Sequence, residues 1–252
     1  MSKIINEKLK DKFKKNSVIF LKNLFSRELC KNTVIWLENN EHILIERFKD
    51  KKRGLVTESY RGKDCIKYFE YPLYSNPEIF SKFMNSTIFK YASTLLEKEV
   101  IFKSLEIHSR FPGAKLIPLH QDNAYYGLED ANALTFYIAI NQQSSSLGGL
   151  TYLSLNKSSE VSKHIPSESS GFSLEIDEKD KAFLNKSLCR FDYEPGDCSI
   201  HHSVSMHYAE EVPLDSERCW VVRFSFFAED TTVSLSHKEF YKKMIEQNRK
   251  LN

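Results

Sequence analysis

Glycine and proline are scarce in this 252-residue chain, eight and seven respectively, which excludes a collagen-like, linker-rich or low-complexity protein. An excess of charge of one sign is also missing. Lys plus Arg number 36 and Asp plus Glu 34, for a formal net charge of +2. That balance supplies no basic field, so composition gives no support to a nucleic-acid role. The five cysteines, Cys30, Cys65, Cys189, Cys198 and Cys219, are odd in number and contain no CxxC pair. Neither a disulfide framework nor a zinc knuckle is therefore indicated, and a reduced, cytoplasmic setting is expected. Long hydrophobic runs are absent too: the longest, from about Ala133 to Ile140, is far too short to span a membrane. The first sixteen residues, MSKIINEKLKDKFKKN, are basic but lack the apolar segment of a secretory signal. The last three, Lys250-Leu251-Asn252, are not a peroxisomal address. What is present is an ordinary globular balance, 41% hydrophobic and 28% charged, enough to bury a core. The expectation is a single soluble domain over residues 1–252 with a small-molecule partner, no nucleic acid and no membrane. Its oligomeric state is not legible.

Helical signals fill the first hundred residues. Ser17 to Leu21 reads as a short strand, and Ser26 as the N-cap of a helix with Leu29, Thr33, Trp36 and Leu37 on one face. Residues 41–75 carry no clear period. Asn76-Pro77 opens a helix, and Ser86 starts another with Ile88, Ala92 and Leu95 at helical spacing. After Val100 the period changes. Leu105, Ile107, Ser109 and Phe111 alternate with Glu106, His108 and Arg110 until Pro112-Gly113 breaks the strand. Short strands follow over Lys115–Asp122, Leu134–Ile140, Leu150–Leu155, Cys198–His202 and Cys219–Phe227. Helices first and many short strands afterwards predict a mainly β barrel or sandwich, braced by helices on its outside. Helical bracing is expected over about 1–100, the β core over about 101–230, and a last helix over about 237–250.

His120-Gln121-Asp122 places an imidazole and a carboxylate two residues apart in a predicted strand, hence on one face. A third ligand from a distant strand would give two His and one carboxylate around one ion, the ligand set of non-haem iron oxygenases. His237-Lys238-Glu239 has the same spacing, but Ser236 and Glu239 match a capping box that opens a helix. Residues two apart on a helix point in different directions and cannot chelate one ion. Three further histidines, His201, His202 and His207, follow the Pro195-Gly196-Asp197 turn. His201 and His202 are adjacent, so at most one reaches an interior site. Arg218 then opens an apolar strand, where a buried guanidinium would need an anion.

These segments resemble the phytanoyl-CoA dioxygenase family of Fe(II)/2-oxoglutarate oxygenases. The likeness runs from about Phe13 to Phe227. It takes in residues 16–26, Phe111-Pro112-Gly113, Pro118-Leu119-His120-Gln121-Asp122, Gly148-Gly149-Leu150, and Gly196-Asp197 through His207. Arg218 follows His207 by eleven residues (218 − 207 = 11), the separation of the family's cosubstrate arginine. The resemblance implies a double-stranded β-helix (jelly roll, cupin-like). It implies that His120, Asp122 and His207 hold Fe(II), that Arg218 pairs with the far carboxylate of 2-oxoglutarate, and that Tyr137 touches that cosubstrate. It further implies that O2 is consumed and that succinate and CO2 are released as a substrate C–H is oxidised. A carboxylate in the ligand set argues for hydroxylation over halogenation. Glu106, His108, Arg110, Tyr125 and Tyr126 are candidate substrate contacts. Two departures concern the pocket wall: the family's Pro-Gly-Ser-His segment is Leu155-Asn156-Lys157-Ser158 here, and Ala209 replaces a frequent Ser.

Two other classes remain open, a non-catalytic jelly-roll metabolite binder and a zinc-dependent hydrolase using the same His, Asp and His. Strand parity adds one expectation. Arg218 shares a face with Trp220, Val222, Phe224 and Phe226, an apolar set expected to face the barrel interior. Arg223 shares a face with Cys219, Val221, Ser225 and Phe227 and is expected on the outside.

Overall fold

In a computed structural model, residues 7–50, 54–153, 160–169, 174–177, 179 and 187–251 are described. The segment 155–158, one of the two departures named above, lies outside them. Ten residues of helix α1, Glu7–Asn16, lead into strand β1, Val18–Leu21. Helix α2, Arg27–Phe48, starts where Ser26 accepts a hydrogen bond from the Leu29 amide at 3.2 Å. It runs well into the stretch whose period was unreadable. The rest of that stretch forms a hairpin, β2 (Leu55–Tyr60) and β3 (Lys63–Phe69). Short helices α3 (Pro72–Ser75) and α4 (Pro77–Phe80) precede α5 (Ser86–Leu96). The Asn76 side chain caps α4 and Asn85 caps α5.

The strands that follow are β4 (Val100–Arg110), β5 (Ile117–His120), β6 (Ala133–Ala139), β7 (Leu150–Leu153), β8 (His164–Pro166), β9 (Leu174–Ile176), β10 (Leu188–Arg190), β11 (Cys198–His202), β12 (His207–Ala209) and β13 (Cys219–Ala228). A one-turn helix, α6 (Asn123–Tyr126), separates β5 from β6. Seven strands form a large sheet in the order β1-β11-β6-β13-β4-β3-β2, and four form a facing sheet in the order β10-β7-β12-β5. The named pairings are all antiparallel. Three strands from the first hundred residues thus belong to the large sheet, so that region is more than bracing. The C-terminal helix, Leu235–Leu251, is capped by Ser234, whose Oγ accepts from the His237 amide at 3.4 Å. Ser236, the cap expected from the sequence, already lies inside the helix.

The main apolar core lies between the large sheet and the helices. Leu37 and Leu44 of α2 and Ile88 and Ala92 of α5 meet Leu105 and Ile107 of β4, Phe136 and Ile138 of β6, and Trp220, Val222, Phe224 and Phe226 of β13. A smaller cluster, with Tyr137, Ala139, Leu150, Tyr152, Tyr193, Ala209 and Val221, fills the space between the two sheets. The parity expectation for β13 is therefore reversed. Its most apolar face is the one the helices cover, and the mixed face carrying Val221 and Arg223 looks into the barrel. The reason is areal: amphipathic helices bury apolar surface, whereas the space between these sheets holds polar groups.

Arg218 lies on the helix side. Its guanidinium meets Glu41 of α2 at 3.0 and 2.7 Å, donates to the Ile66 carbonyl at 2.7 Å, and stacks 3.6 Å over the Trp220 ring and 4.1 Å over Phe111. Glu41 also accepts from the Ile66 amide at 2.6 Å, so the pair pins α2 to β3 and β13. Arg218→Ala should strand a largely buried carboxylate and lower stability by about 2–3 kcal/mol, somewhat below the figure for a fully buried pair. Urea unfolding of the two proteins measures this, and an unchanged midpoint would show that the pin is dispensable.

Candidate active site

β5 and β12 pair so that His207 faces His120 across the ladder. β5 ends at His120, and Asp122 has helical dihedrals (φ −58, ψ −32) at the entrance to α6. The two ligating side chains therefore converge through a strand-to-helix turn and not through strand alternation. The turn is fixed by the Asn123 amide on the Ser203 carbonyl at 2.9 Å, and by the Tyr125 and Tyr126 amides on the Asp122 carbonyl at 2.9 and 3.1 Å. Ligand atoms of His120, Asp122 and His207 lie within 4.8 Å of one another, and all three residues are buried. His201 approaches from the opposite sheet, because residues 203–206 carry the chain from β11 across to β12. Its ring lies 4.7 Å from that of His207. His202, its neighbour, points away towards Phe13.

The surrounding hydrogen bonds orient each donor. His120 Nδ1 bonds the Pro118 carbonyl at 2.7 Å and His207 Nδ1 bonds the Ser205 carbonyl at 2.9 Å. A carbonyl only accepts, so Nδ1 carries the proton in both rings and the Nε2 lone pair is the metal-binding face. Asp122 is treated asymmetrically. Its Oδ2 accepts from Arg223 at 3.0 Å and from His201 Nε2 at 3.2 Å, and also from the Thr135 hydroxyl. Its Oδ1 lies towards His207 Nε2, 3.8 Å away. The carboxylate is thereby turned to present Oδ1 to the histidines.

Electrostatics point the same way. Burial lowers the His120 imidazole to about 3 and His207 to about 4, with the neighbouring imidazoles adding to the effect. Burial alone would raise Asp122, but the Arg223 charge and the His201 hydrogen bond outweigh it and hold the carboxyl well below its usual range. Two neutral imidazoles and one carboxylate within reach of a single point fit a divalent cation with open coordination positions.

Arg223 lies inside the barrel, correcting the outward placement expected for it. Besides Asp122 it contacts Glu106 at 2.7 Å and the Tyr126 hydroxyl at 2.7 Å. Burial raises the Glu106 carboxyl, while Arg223, His108 and Ser104 together bring it down to about 2. The signal that could have found Arg223 was its parity with Ser225, a polar residue on a strand that is otherwise apolar.

The remaining candidates divide clearly. Tyr137 points between the sheets and donates its hydroxyl to Gln143 at 2.7 Å. Glu106, His108 and Arg110 share the inner face of β4, with His108 Nε2 3.1 Å from Glu106. Tyr125 sets its ring edge-on to His120 with 5.6 Å between centroids, and its hydroxyl reaches the Leu174 carbonyl at 3.2 Å. Arg218 is not among them: its guanidinium is on the far side of the large sheet with Glu41. His237 is also apart. It is half-buried, not solvated as expected, and stacks on Tyr241 beside Gly127.

No protein-family model matches the chain, and no curated protein matches it by sequence. Solved structures do. EvdO2 from Micromonospora carbonacea var. aurantiaca, complexed with 2-oxoglutarate, superposes with a TM-score of 0.68 at 18% identity, covering 93% of this chain and 95% of that one. EctD from S. alaskensis, solved with 2-oxoglutarate and 5-hydroxyectoine, gives 0.69 at 14% identity over 91% and 78% of the two chains. The epimerase SnoN, in complex with Fe3+, alpha ketoglutarate and nogalamycin RO, gives 0.67 at 12% over 90% and 85%. The fold is the double-stranded β-helix. Likeness at these identities establishes that architecture, and the phytanoyl-CoA dioxygenase resemblance rests on the motifs quoted for it. Among the described residues, no helix is long and apolar enough to cross a membrane.

The lowered imidazoles make the metal-free protein acid-sensitive. The folded state keeps these rings neutral, while the unfolded chain takes up protons below its ordinary value of 6.5. Their contribution is fully present above that pH and is lost as pH falls towards about 4, with a slope of up to about 1.4 kcal/mol per pH unit for each ring. Thermal melts of chelator-treated protein across this window should show a steadily falling Tm. A flat profile would contradict the burial argument.

Proposed function

We propose that the protein is an Fe(II)/2-oxoglutarate-dependent dioxygenase that hydroxylates a small-molecule metabolite, the whole chain forming one catalytic domain. The observation that carries this reading is the convergence of His120, Asp122 and His207 at one buried point inside a double-stranded β-helix. Structural neighbours solved with iron or 2-oxoglutarate support it. Bound there, iron and 2-oxoglutarate would supply an oxidant made from O2, with succinate and CO2 as the co-products. The chain's own part is geometric. Nε2 of the two histidines and Oδ1 of Asp122 would hold the metal, while Arg223, His201 and Thr135 engage Oδ2 and fix the carboxylate's orientation.

Tyr152 closes the interior behind the site. Its hydroxyl meets Ser199 at 2.8 Å and His201 Nδ1 at 3.1 Å, a buried polar network that leaves no unpaired group for bulk water to solvate. Tyr125 forms a wall over His120, its hydroxyl already engaged by backbone. Glu106 and His108 on the inner face of β4 are the polar groups we assign to substrate. The carboxylate ligand favours hydroxylation over halogen transfer, because it occupies the position a halide would need.

Supplied with Fe(II), 2-oxoglutarate and O2, the purified protein should release succinate slowly even without a prime substrate. Asp122→Ala should abolish that release and weaken Fe(II) binding by more than about a hundredfold, with the fold intact because Glu106 still neutralises Arg223. Unchanged succinate release in the variant would overturn the metal assignment. Hydrolytic activity that depends on zinc, with no succinate from the unaltered protein, would favour the hydrolase.

A further inference from the structure

Three arginines approach the region where β4 meets β13, and their surroundings differ in one respect. Arg218 is paired with Glu41 and Arg223 with Glu106 and Asp122. Arg110 has no carboxylate within ion-pair range among the described residues. Its Nη1 donates to the Gly148 carbonyl at 2.9 Å and its Nη2 to the Lys115 carbonyl at 2.6 Å. Two of its five N–H groups are thereby committed and hold the fork in place, while Glu58 and Glu211 act on its charge from beyond ion-pair range. A half-buried guanidinium with no direct ion-pair partner has donors and charge to offer an arriving anion.

We infer that Arg110, and not Arg218, receives the distal carboxylate of 2-oxoglutarate, an assignment that rests on the oxygenase reading. Three observations place it on the path from the metal site. First, Arg110 is the Cα partner of Cys219 across the β4–β13 ladder, and both share the inner face with Val221 and Arg223. Cys219 is thus the inward-facing position at the start of β13. It is too short to reach a carboxylate, and Arg110 serves the same end of the barrel from the next strand. Second, the facing sheet gives the direction. His207 pairs with Tyr152, and two residues on Ala209 pairs with Leu150. Two further residues along the same strand path comes Gly148, whose carbonyl holds Arg110. The guanidinium therefore stands towards the Gly148 end of the barrel from the metal ligands. Third, the seat is shaped for the guanidinium. Gly148 has φ +87, and a Cβ there would lie 2.6 Å from Val212 and 3.2 Å from Arg110 Nη1. A side chain at that position would crowd Val212 and the arginine fork and would be strained at that φ. Tyr137 lies near enough to act on the Arg110 charge, and its ring packs on that of Tyr193 with 5.5 Å between centroids. Burial lowers the Arg110 pKa, with Glu58 and Glu211 acting in the opposite direction.

The test uses the Mn(II)-loaded protein, which does not turn over, and compares calorimetric binding of 2-oxoglutarate with that of 2-oxopentanoate. The second compound keeps the metal-chelating end and replaces the distal carboxylate by a methyl. The unaltered protein should prefer 2-oxoglutarate by about a hundredfold or more. Arg110→Ala should lose most of that preference while still binding Mn(II), and Arg110→Lys, which keeps the charge without the fork, should retain part of it. Arg218→Ala should keep the preference whole. Mn(II) binding and a thermal melt on each variant establish that it is folded, and should Arg110→Ala fail there, Arg110→Gln is measured in its place. A preference that survives loss of the Arg110 charge, or that disappears in Arg218→Ala, overturns this assignment alone. Failure of the unaltered protein to bind either keto acid overturns the oxygenase reading and this assignment together.

Discussion

The guanidinium of Arg223, held between Glu106 and Asp122, sets the character of the space between the two sheets. Two buried carboxylates on neighbouring elements would repel one another and drive one into its protonated form. One cation held between the two side chains keeps both ionised, so Asp122 stays an anion far from solvent. The cost of burying these charges is offset only because each has several hydrogen-bond donors, Ser104 and His108 for Glu106, Thr135 and His201 for Asp122. The interior is therefore wired, and its remaining apolar surface is largely aromatic.

That wiring explains which parts of the fold were legible in sequence. α2 was visible because Ser26 caps it and Thr33 and Leu37 recur on one face. β11 could be delimited from the Pro195-Gly196-Asp197 turn and its β-branched and His content. The hairpin of β2 and β3 was not visible: it lies at one end of the large sheet, and its burial alternates only weakly. Ser86 was correctly read as the start of α5, whereas the cap of the C-terminal helix was expected at Ser236 and lies at Ser234, because neighbouring hydroxyl residues offer equivalent oxygens and only the backbone decides among them.

The candidate site was legible as a set of residue types and less so as a geometry. His120, Asp122 and His207 could be named from their order along the chain. The arginines were harder, since parity says which residues share a face but not which face is inside. On β13 the apolar set Trp220, Val222, Phe224 and Phe226 looked like a barrel interior and proved to be the seat of the helices. A chain of this architecture has two interiors, one greasy and one polar, and hydrophobicity alone identifies only the first.

The pairing of His120 with His207 closes a loop of 87 residues (207 − 120 = 87). No local segment can present both imidazoles, and a nascent chain that stops short of residue 207 carries only part of the donor set. Local helices such as α2 and α5 can form from nearby contacts, whereas this pair must await the meeting of the two sheets, with the loop-closure entropy that entails. The site is accordingly a late product of assembly. A metal ion would therefore meet the three donors together only once β5 and β12 have paired.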